Sequence, residues 1–168
     1  MIPDPKLNIW EHSEGLKDLC RKRARNALPE MDSAAQAADI LKTLNITPKT
    51  PILDGGCGAG HFIHSLAKRE LDLDYHGLDY SPSYIEIGKE AFTELSLDPE
   101  RLFVESLDDL SGIEYGVAVL INVMSFNPDF RRILGRVVET GAKTILVRDN
   151  FGQDTAILWD IDGYLDVG

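Results

Sequence analysis

Asp54-Gly55-Gly56-Cys57-Gly58-Ala59-Gly60-His61-Phe62 is the stretch on which the reading of this chain turns. An apolar run, Pro51 to Asp54, leads straight into it, and a helical pattern, His61 to Lys68, leads out. Glycine takes backbone angles closed to other residues and lets a ligand lie against bare main chain, while the first turn of a helix offers unpaired N–H groups to an anion. A nucleotide-like ligand is expected at such a turn. The dinucleotide fingerprint G-x-G-x-x-G/A does not fit: counted from Gly56 its third position is His61, and counted from Gly58 the next glycine comes too early. A phosphate loop ending in Lys-Ser/Thr does not fit either.

Outward from the loop, short apolar segments alternate with helical patterns. Leu73 to Asp79 reads as a second strand and Pro82 to Leu95 as a helix; Arg101 to Glu105, Val117 to Ile121 and Thr144 to Arg148 read as strands three to five. Before the fifth strand, Asn127-Pro128 opens a helix, with Asn as cap and Phe130, Ile133, Leu134, Val137 and Val138 facing inward. Upstream, Lys6 to about Asn26 is helical in composition. A second helix starts near Asp32 or Ser33, either of which can cap it, and carries Ala34, Ala37, Ala38, Leu41 and Leu44 on one face. This alternation is the pattern of an α/β fold, a doubly wound, mostly parallel sheet with helices on both faces, preceded by an N-terminal helical extension. The expected division is 1–46 for that extension, a lid, and 47–168 for the ligand-binding core. Near the end, Asp162-Gly163 between two apolar runs reads as a two-residue hairpin that either closes the sheet or ends a shortened core.

The loop resembles motif I of the class I S-adenosylmethionine-dependent methyltransferases, D-x-G-x-G-x-G, with Asp54, Gly56, Gly58 and Gly60 in place. A second acidic residue, Asp79, ends strand two 25 residues after the first. The resemblance covers roughly Ile52 to Arg148 and implies a Rossmann-like fold and S-adenosyl-L-methionine as cofactor. It implies that Gly55, Gly56, Cys57, Gly58 and Gly60 line the cofactor, that Asp54 orients its amino group, and that Asp79 accepts from both ribose hydroxyls. For Asp79 a helix cap is the plainer alternative. Tyr80 is placed to pack on adenine. The family's acidic residue after strand three has its nearest match in Glu105-Ser106-Leu107-Asp108-Asp109, in an open register; if Ser106 stands there, Leu107 supplies a backbone N–H and an apolar face. Asn122 follows strand four at the methionine end.

Methyl transfer is an in-line displacement, so alignment and exclusion of water come before proton removal. His12, His61, His64 and His76 are nominal bases, for each of which a surface or core role is the default. The basic run Arg21, Lys22, Arg23 and Arg25 reads first as a solvated helix face, and more sharply as a lid touching the cofactor or an anionic acceptor.

A chain of 168 residues, 43% hydrophobic and 27% charged, fits one domain with a real core. Its formal charge of −11 repels phosphate backbones and disfavours nucleic acid as a partner. No apolar run approaches the ~20 residues of a membrane span. The N-terminal stretch has no basic and apolar leader pattern, and two cysteines make no disulfide framework, so the expected location is cytoplasmic. The expected activity is therefore methyl transfer to a small-molecule acceptor. The alternatives are an aminopropyltransferase on the same fold, which should carry an acidic cluster where this chain has Asn122-Val123-Met124-Ser125, and a non-catalytic module that binds an adenosyl ligand.

Overall fold

A computed structural model of the protein describes residues 9–110, 114–127 and 129–149. The elements are α1 (Ile9–His12), α2 (Glu14–Ala24), α3 (Asp32–Thr43), β1 (Pro51–Gly55), α4 (Phe62–Lys68), β2 (Asp74–Asp79), α5 (Pro82–Glu94), β3 (Leu102–Val104), β4 (Val117–Ile121), α6 (Phe130–Glu139) and β5 (Thr144–Arg148). Short 3-10 turns at Pro99–Arg101 and Met124–Phe126 precede β3 and follow β4. All strand pairs are parallel, in the order β3-β2-β1-β4-β5. The order reverses between β1 and β4, and in open sheets of this kind ligands bind at the carboxyl ends of the strands beside such a switch. The glycine loop leaves β1 at that point.

Strand side chains alternate between two apolar layers. Ile52, Val117 and Val119 meet Leu41 of α3, Phe62 and Leu66 of α4 and Ile85 and Phe92 of α5 on one face. Leu53, Ala118 and Leu120 meet Ile133 and Val137 of α6 on the other. Burial on both faces is why these strands read as nearly unbroken apolar runs.

Several expected details change. The first helix breaks at Ser13, whose hydroxyl caps α2 by accepting from Leu16 N at 3.3 Å. Neither Asp32 nor Ser33 caps α3; Met31 holds the cap position without a side-chain bond, and Ser33 turns inward. Leu44, Phe130 and Val138, expected inside, are 46%, 41% and 60% exposed. The cap of α6 is Asp129, not Asn127: the helix begins at Phe130, and Asp129 Oδ1 accepts from Arg132 N at 3.2 Å. Asn127 instead donates from Nδ2 to Val123 O at 3.0 Å. The expected hairpin at Asp162-Gly163 lies outside the described residues.

The N-terminal helices are packed into the molecule. Ala24 is fully buried with Ala59, Tyr84, Ile87 and Ala91, against which Trp10 and Cys20 pack. Arg25 forms a two-pronged pair with Glu94 at 2.6 and 2.7 Å, and His64 Nε2 donates to Ala24 O at 2.7 Å. Removing this segment would uncover α5 as well as the loop. No helix among the described residues is long and apolar enough to cross a membrane.

Candidate active site

The loop conformation follows from its glycines. Gly56, Gly58 and Gly60 have φ of +74°, +57° and +76°, in the left-handed region that costs an L side chain roughly 1–2 kcal/mol. Their surroundings differ. A Cβ on Gly56 would lie 2.5 Å from Val123 Cγ2, and one on Gly60 would lie 3.0 Å from Leu102 and Phe92, so both glycines permit close packing inside the protein. At Gly58 the nearest atom would be Tyr84 Cδ2 at 4.0 Å. This is the face of the loop left open.

Four of the loop N–H groups are engaged inside the protein. Those of Gly56 and Cys57 donate to Leu78 O at 2.8 and 2.9 Å, that of Gly60 to Cys57 O at 3.0 Å, and that of Gly58 to Asp79 Oδ2 at 2.9 Å. Asp79 is also bonded through Oδ1 to Ser81 N at 2.9 Å. A carboxylate has about four acceptor positions, so these bonds leave Asp79 capacity to accept from a ligand. The helix-cap alternative for Asp79 fails, because the cap of α5 is Ser81, whose hydroxyl accepts from Tyr84 N at 3.3 Å. Asp79 is 7% exposed; burial pushes its carboxyl up, against the backbone N–H donors of Ser81, Gly58 and Tyr80, and Glu11 adds to the rise.

Asp54 sits beneath the loop, 3% exposed, and accepts from Tyr75 Oη at 2.6 Å. Burial drives its carboxyl up to about 7, opposed by the Tyr75 hydroxyl and reinforced by Asp79. Gly77 makes this contact possible, since a Cβ there would come within 3.0 Å of Tyr75 Oη and 2.9 Å of Cys57 Sγ. Tyr75 was not legible as a site residue: only the register that sets it opposite Ile52 in β1 brings it under the loop.

The other expected residues fall around this pair. Gly55 ends β1 against Leu120 and Leu107, and Leu107 is buried in the α6-side layer. Cys57 is buried, so it presents main chain to the loop surface. Tyr80 is half-buried directly after Asp79. Ser106 Oγ accepts from Asp108 N at 3.2 Å and closes the turn after β3. Asn122, at φ +56°, ends β4; its Oδ1 accepts from Arg148 Nη1 at 2.7 Å and its Nδ2 donates to Ser33 Oγ at 3.4 Å. Glu11 was also missed: it accepts from Ser81 Oγ and from Ser83 N, which places α1 beside Asp79. Burial pushes its carboxyl up, but these donors outweigh it and leave Glu11 below its ordinary value.

The histidines do not make a base. His76 contacts Arg101 Nη1 at 2.8 Å and Asp74 Oδ2 at 3.2 Å and stacks on Phe103, within β2. His64 is committed to Ala24 O, and His12 is exposed at the end of α1. His61 stands next to the loop, but burial, then Arg23, then His64 push it down to about 4, a weak proton acceptor near neutrality. No group of three metal-binding side chains occurs among the described residues.

The raised Asp54 has a thermodynamic signature. A carboxyl near 7 in the folded chain and near 3.9 unfolded binds its proton more tightly when folded, so its contribution to stability falls as pH rises from about 4 through about 7. His61 acts oppositely between about 4 and 6.5, because its folded value is depressed. The expected result is that the difference in melting temperature between the native protein and Asp54→Asn shifts against the native protein from pH 5 to pH 8. A difference independent of pH would show that Asp54 titrates normally.

A family model described as a methyltransferase domain matches residues 53–141. No curated protein matches the chain. Among solved structures, YcgJ from Bacillus subtilis is similar with a TM-score of 0.61 at 17% identity, over 71% of this chain and 51% of its own. A protein from Methanococcus maripaludis, described as a putative S-adenosyl-L-methionine-dependent methyltransferase, has a TM-score of 0.61 at 17% identity, over 80% of this chain and 61% of its own. The amino pentose methyltransferase CalS10 from Micromonospora echinaspora, solved with S-adenosylmethionine bound, has a TM-score of 0.58 at 16% identity, over 79% and 56%. The chain thus spans about half to three fifths of the length of these proteins, and the likeness is one of fold.

Proposed function

The chain belongs to the methyltransferase-domain family, and on that premise we propose that it transfers a methyl group from S-adenosyl-L-methionine to a small-molecule acceptor. The observation that carries this reading is the pair of buried carboxylates, Asp54 and Asp79, beneath and beside a loop whose open face is Gly58. Two elevated carboxyls in one cleft favour a ligand that brings positive charge and hydroxyl donors. An adenosyl ligand with a diol, an ammonium and a sulfonium has that chemistry; a dinucleotide or nucleoside triphosphate brings negative charge instead.

Within the proposal, Asp79 accepts from the ribose hydroxyls, and Gly58 allows the nucleoside to lie on main chain. Tyr80 packs on the base, whose edge is met by Ser106 and the main chain of Leu107. Asp54 holds the ammonium end, and Asn122 borders the methionine chain. Gly55, Gly56, Cys57 and Gly60 contribute by holding the loop in register. The cofactor, when bound, supplies a methyl group on positively charged sulfur. What the protein adds is alignment, shielding from water by α1 and α2, and a field set by Asp54, Asp79 and Glu11. A dedicated base is not part of this scheme. Alanine at His61 is expected to lower turnover less than about tenfold, whereas a working general base contributes about 10²–10⁴. A loss in that higher range would make proton removal rate-limiting.

A small acceptor accords with the N-terminal helices over the cleft and with the amino pentose methyltransferase among the similar folds. The aminopropyl alternative lacks support, since Asn122, Val123, Met124 and Ser125 after β4 include no acid. The test is transfer of label from methyl-labelled S-adenosylmethionine to a panel of amines, phenols and carboxylic acids. Transfer to at least one class is expected; tight binding with no transfer across the panel would assign a non-catalytic module.

A further inference from the structure

Four residues mark the carboxyl edge of the sheet in spatial order: Asp79 ends β2, Gly55 ends β1, Asn122 follows β4 and Arg148 ends β5. The register sets Gly55 opposite Leu120 and Ile121 opposite Arg148, so Arg148 stands one residue beyond the level of Gly55. Two strand spacings, about 10 Å, separate it from β1. Asn122 joins the two places, because the next residue, Val123, fills the space that a Cβ on Gly56 would take. Along β5, Ile145 and Val147 belong to the α6-side layer and Leu146 to the other. By that alternation Arg148 lies on the side of α3 and α4, the side on which the glycine loop enters its helix.

Its guanidinium is held without being neutralised. Asn122, in a left-handed conformation that Asn tolerates, turns both main chain and side chain to Arg148. The Asn122 N–H donates to Arg148 O at 2.7 Å, and Asn122 Oδ1 accepts from Arg148 Nη1 at 2.7 Å. Arginine has only donors, so the amide oxygen must face it, and Nδ2 is left to reach the buried Ser33 of α3. Among the described residues no carboxylate lies within salt-bridge distance of Arg148. Asp149, next in the chain, accepts from Ser125 N at 3.1 Å in the turn after β4. With Nη1 engaged, the Nε–Nη2 edge of Arg148 remains. Arg25 grips Glu94 by that same edge, at 2.6 and 2.7 Å.

We propose that Arg148 anchors an acceptor that carries a carboxylate, gripping it by the Nε–Nη2 edge beyond the methionine end of the cofactor. This rests on the methyl transfer proposed above and names its substrate class. The fork matches a carboxylate with two parallel N–H···O bonds, and a guanidinium already oriented by an amide loses less freedom in forming them. A net charge of −11 opposes any anion at long range, so recognition has to come from such a local, matched contact. The carboxylate is the handle. A separate nucleophile of the acceptor gives its electron pair to the methyl carbon as the carbon–sulfur bond breaks toward sulfur, and an N–H or O–H nucleophile releases its proton to water.

The test has two arms. Proton–nitrogen NMR follows the Nε–H of Arg148 while benzoate or benzamide is added, with and without S-adenosylhomocysteine. Arg131, which lies over the Phe130 ring at 5.0 Å, serves as a guanidinium without an orienting amide. A saturable shift at Arg148 with benzoate, absent with benzamide and absent at Arg131, is expected. Label transfer then compares aminobenzoate and hydroxybenzoate with their amides. The native protein should favour each acid by about tenfold or more in kcat/KM, chiefly through KM. Arg148→Gln should bring each acid to the level of its amide. Arg148→Lys, which keeps the charge and loses the fork, should fall between, and its melting curve controls for folding. A benzoate shift with no transfer to any acceptor would end the methyl-transfer reading and leave the carboxylate site standing. An Arg148 Nε–H indifferent to benzoate, or acids and amides methylated alike, would overturn the proposal.

Discussion

Replacing Asp79 with alanine is expected to weaken binding of S-adenosylhomocysteine at least tenfold and to lower the melting temperature as well. Hydrogen bonds to a charged group are worth about 1.5–3 kcal/mol each, so loss of even one from a ribose hydroxyl to Asp79 costs about tenfold or more. Stability is affected because the carboxylate is also a brace: without it the N–H groups of Gly58 and Ser81 lose their acceptor inside the protein. A buried donor left unpaired costs about 1–3 kcal/mol, although removal of a buried charge gives part of that back. Asp79→Asn separates the two effects, since its amide retains one acceptor oxygen for the loop. It should melt closer to the native protein and still bind poorly. An unchanged dissociation constant in Asp79→Ala would make the residue a brace alone.

The second large effect is a contrast between neighbouring glycines. Gly60→Ala adds left-handed strain of about 1–2 kcal/mol to overpacking against Leu102 and Phe92, which typically costs a further ~1–3 kcal/mol. It should damage the fold first. Gly58→Ala carries similar strain but meets no protein atom closer than Tyr84 at 4.0 Å, so its methyl occupies the open face of the loop. It should retain a cooperative melt and lose ligand affinity by an order of magnitude or more. Thermal melts and calorimetry on the two variants check this; binding unaltered in Gly58→Ala would mean that no ligand lies over that glycine.

These contrasts show which parts of the site could be read before folding. The spacing of Asp54, Gly56, Gly58 and Gly60 was legible because a loop's backbone angles are written locally, by the residues that can adopt them. The position of Asp79 was legible because a strand's end is marked by the helix signal Ser81-Pro82 after it. Neither the Tyr75–Asp54 contact nor the missing Cβ of Gly77 beneath it could be found that way, since both depend on how β1 and β2 register. The same holds for Glu11, 70 residues from the Ser81 hydroxyl that it accepts from. Four N–H groups of the loop, those of Gly56, Cys57, Gly58 and Gly60, are bonded internally, because buried backbone donors need partners even without a ligand. At α6 the cap falls on Asp129 and not on Asn127, whose side chain is held by Val123 O, a contact with the turn after β4 that the Asn-Pro pair does not announce.

The most direct measurement of the central claim is calorimetric titration of the native chain with S-adenosylmethionine, S-adenosylhomocysteine, NAD and ATP under one set of conditions. The account predicts one-to-one binding of both adenosyl ligands, weakened as pH falls below about 7 and Asp54 is protonated, and no heat with the other two. Binding of NAD or ATP without response to either adenosyl ligand would contradict it.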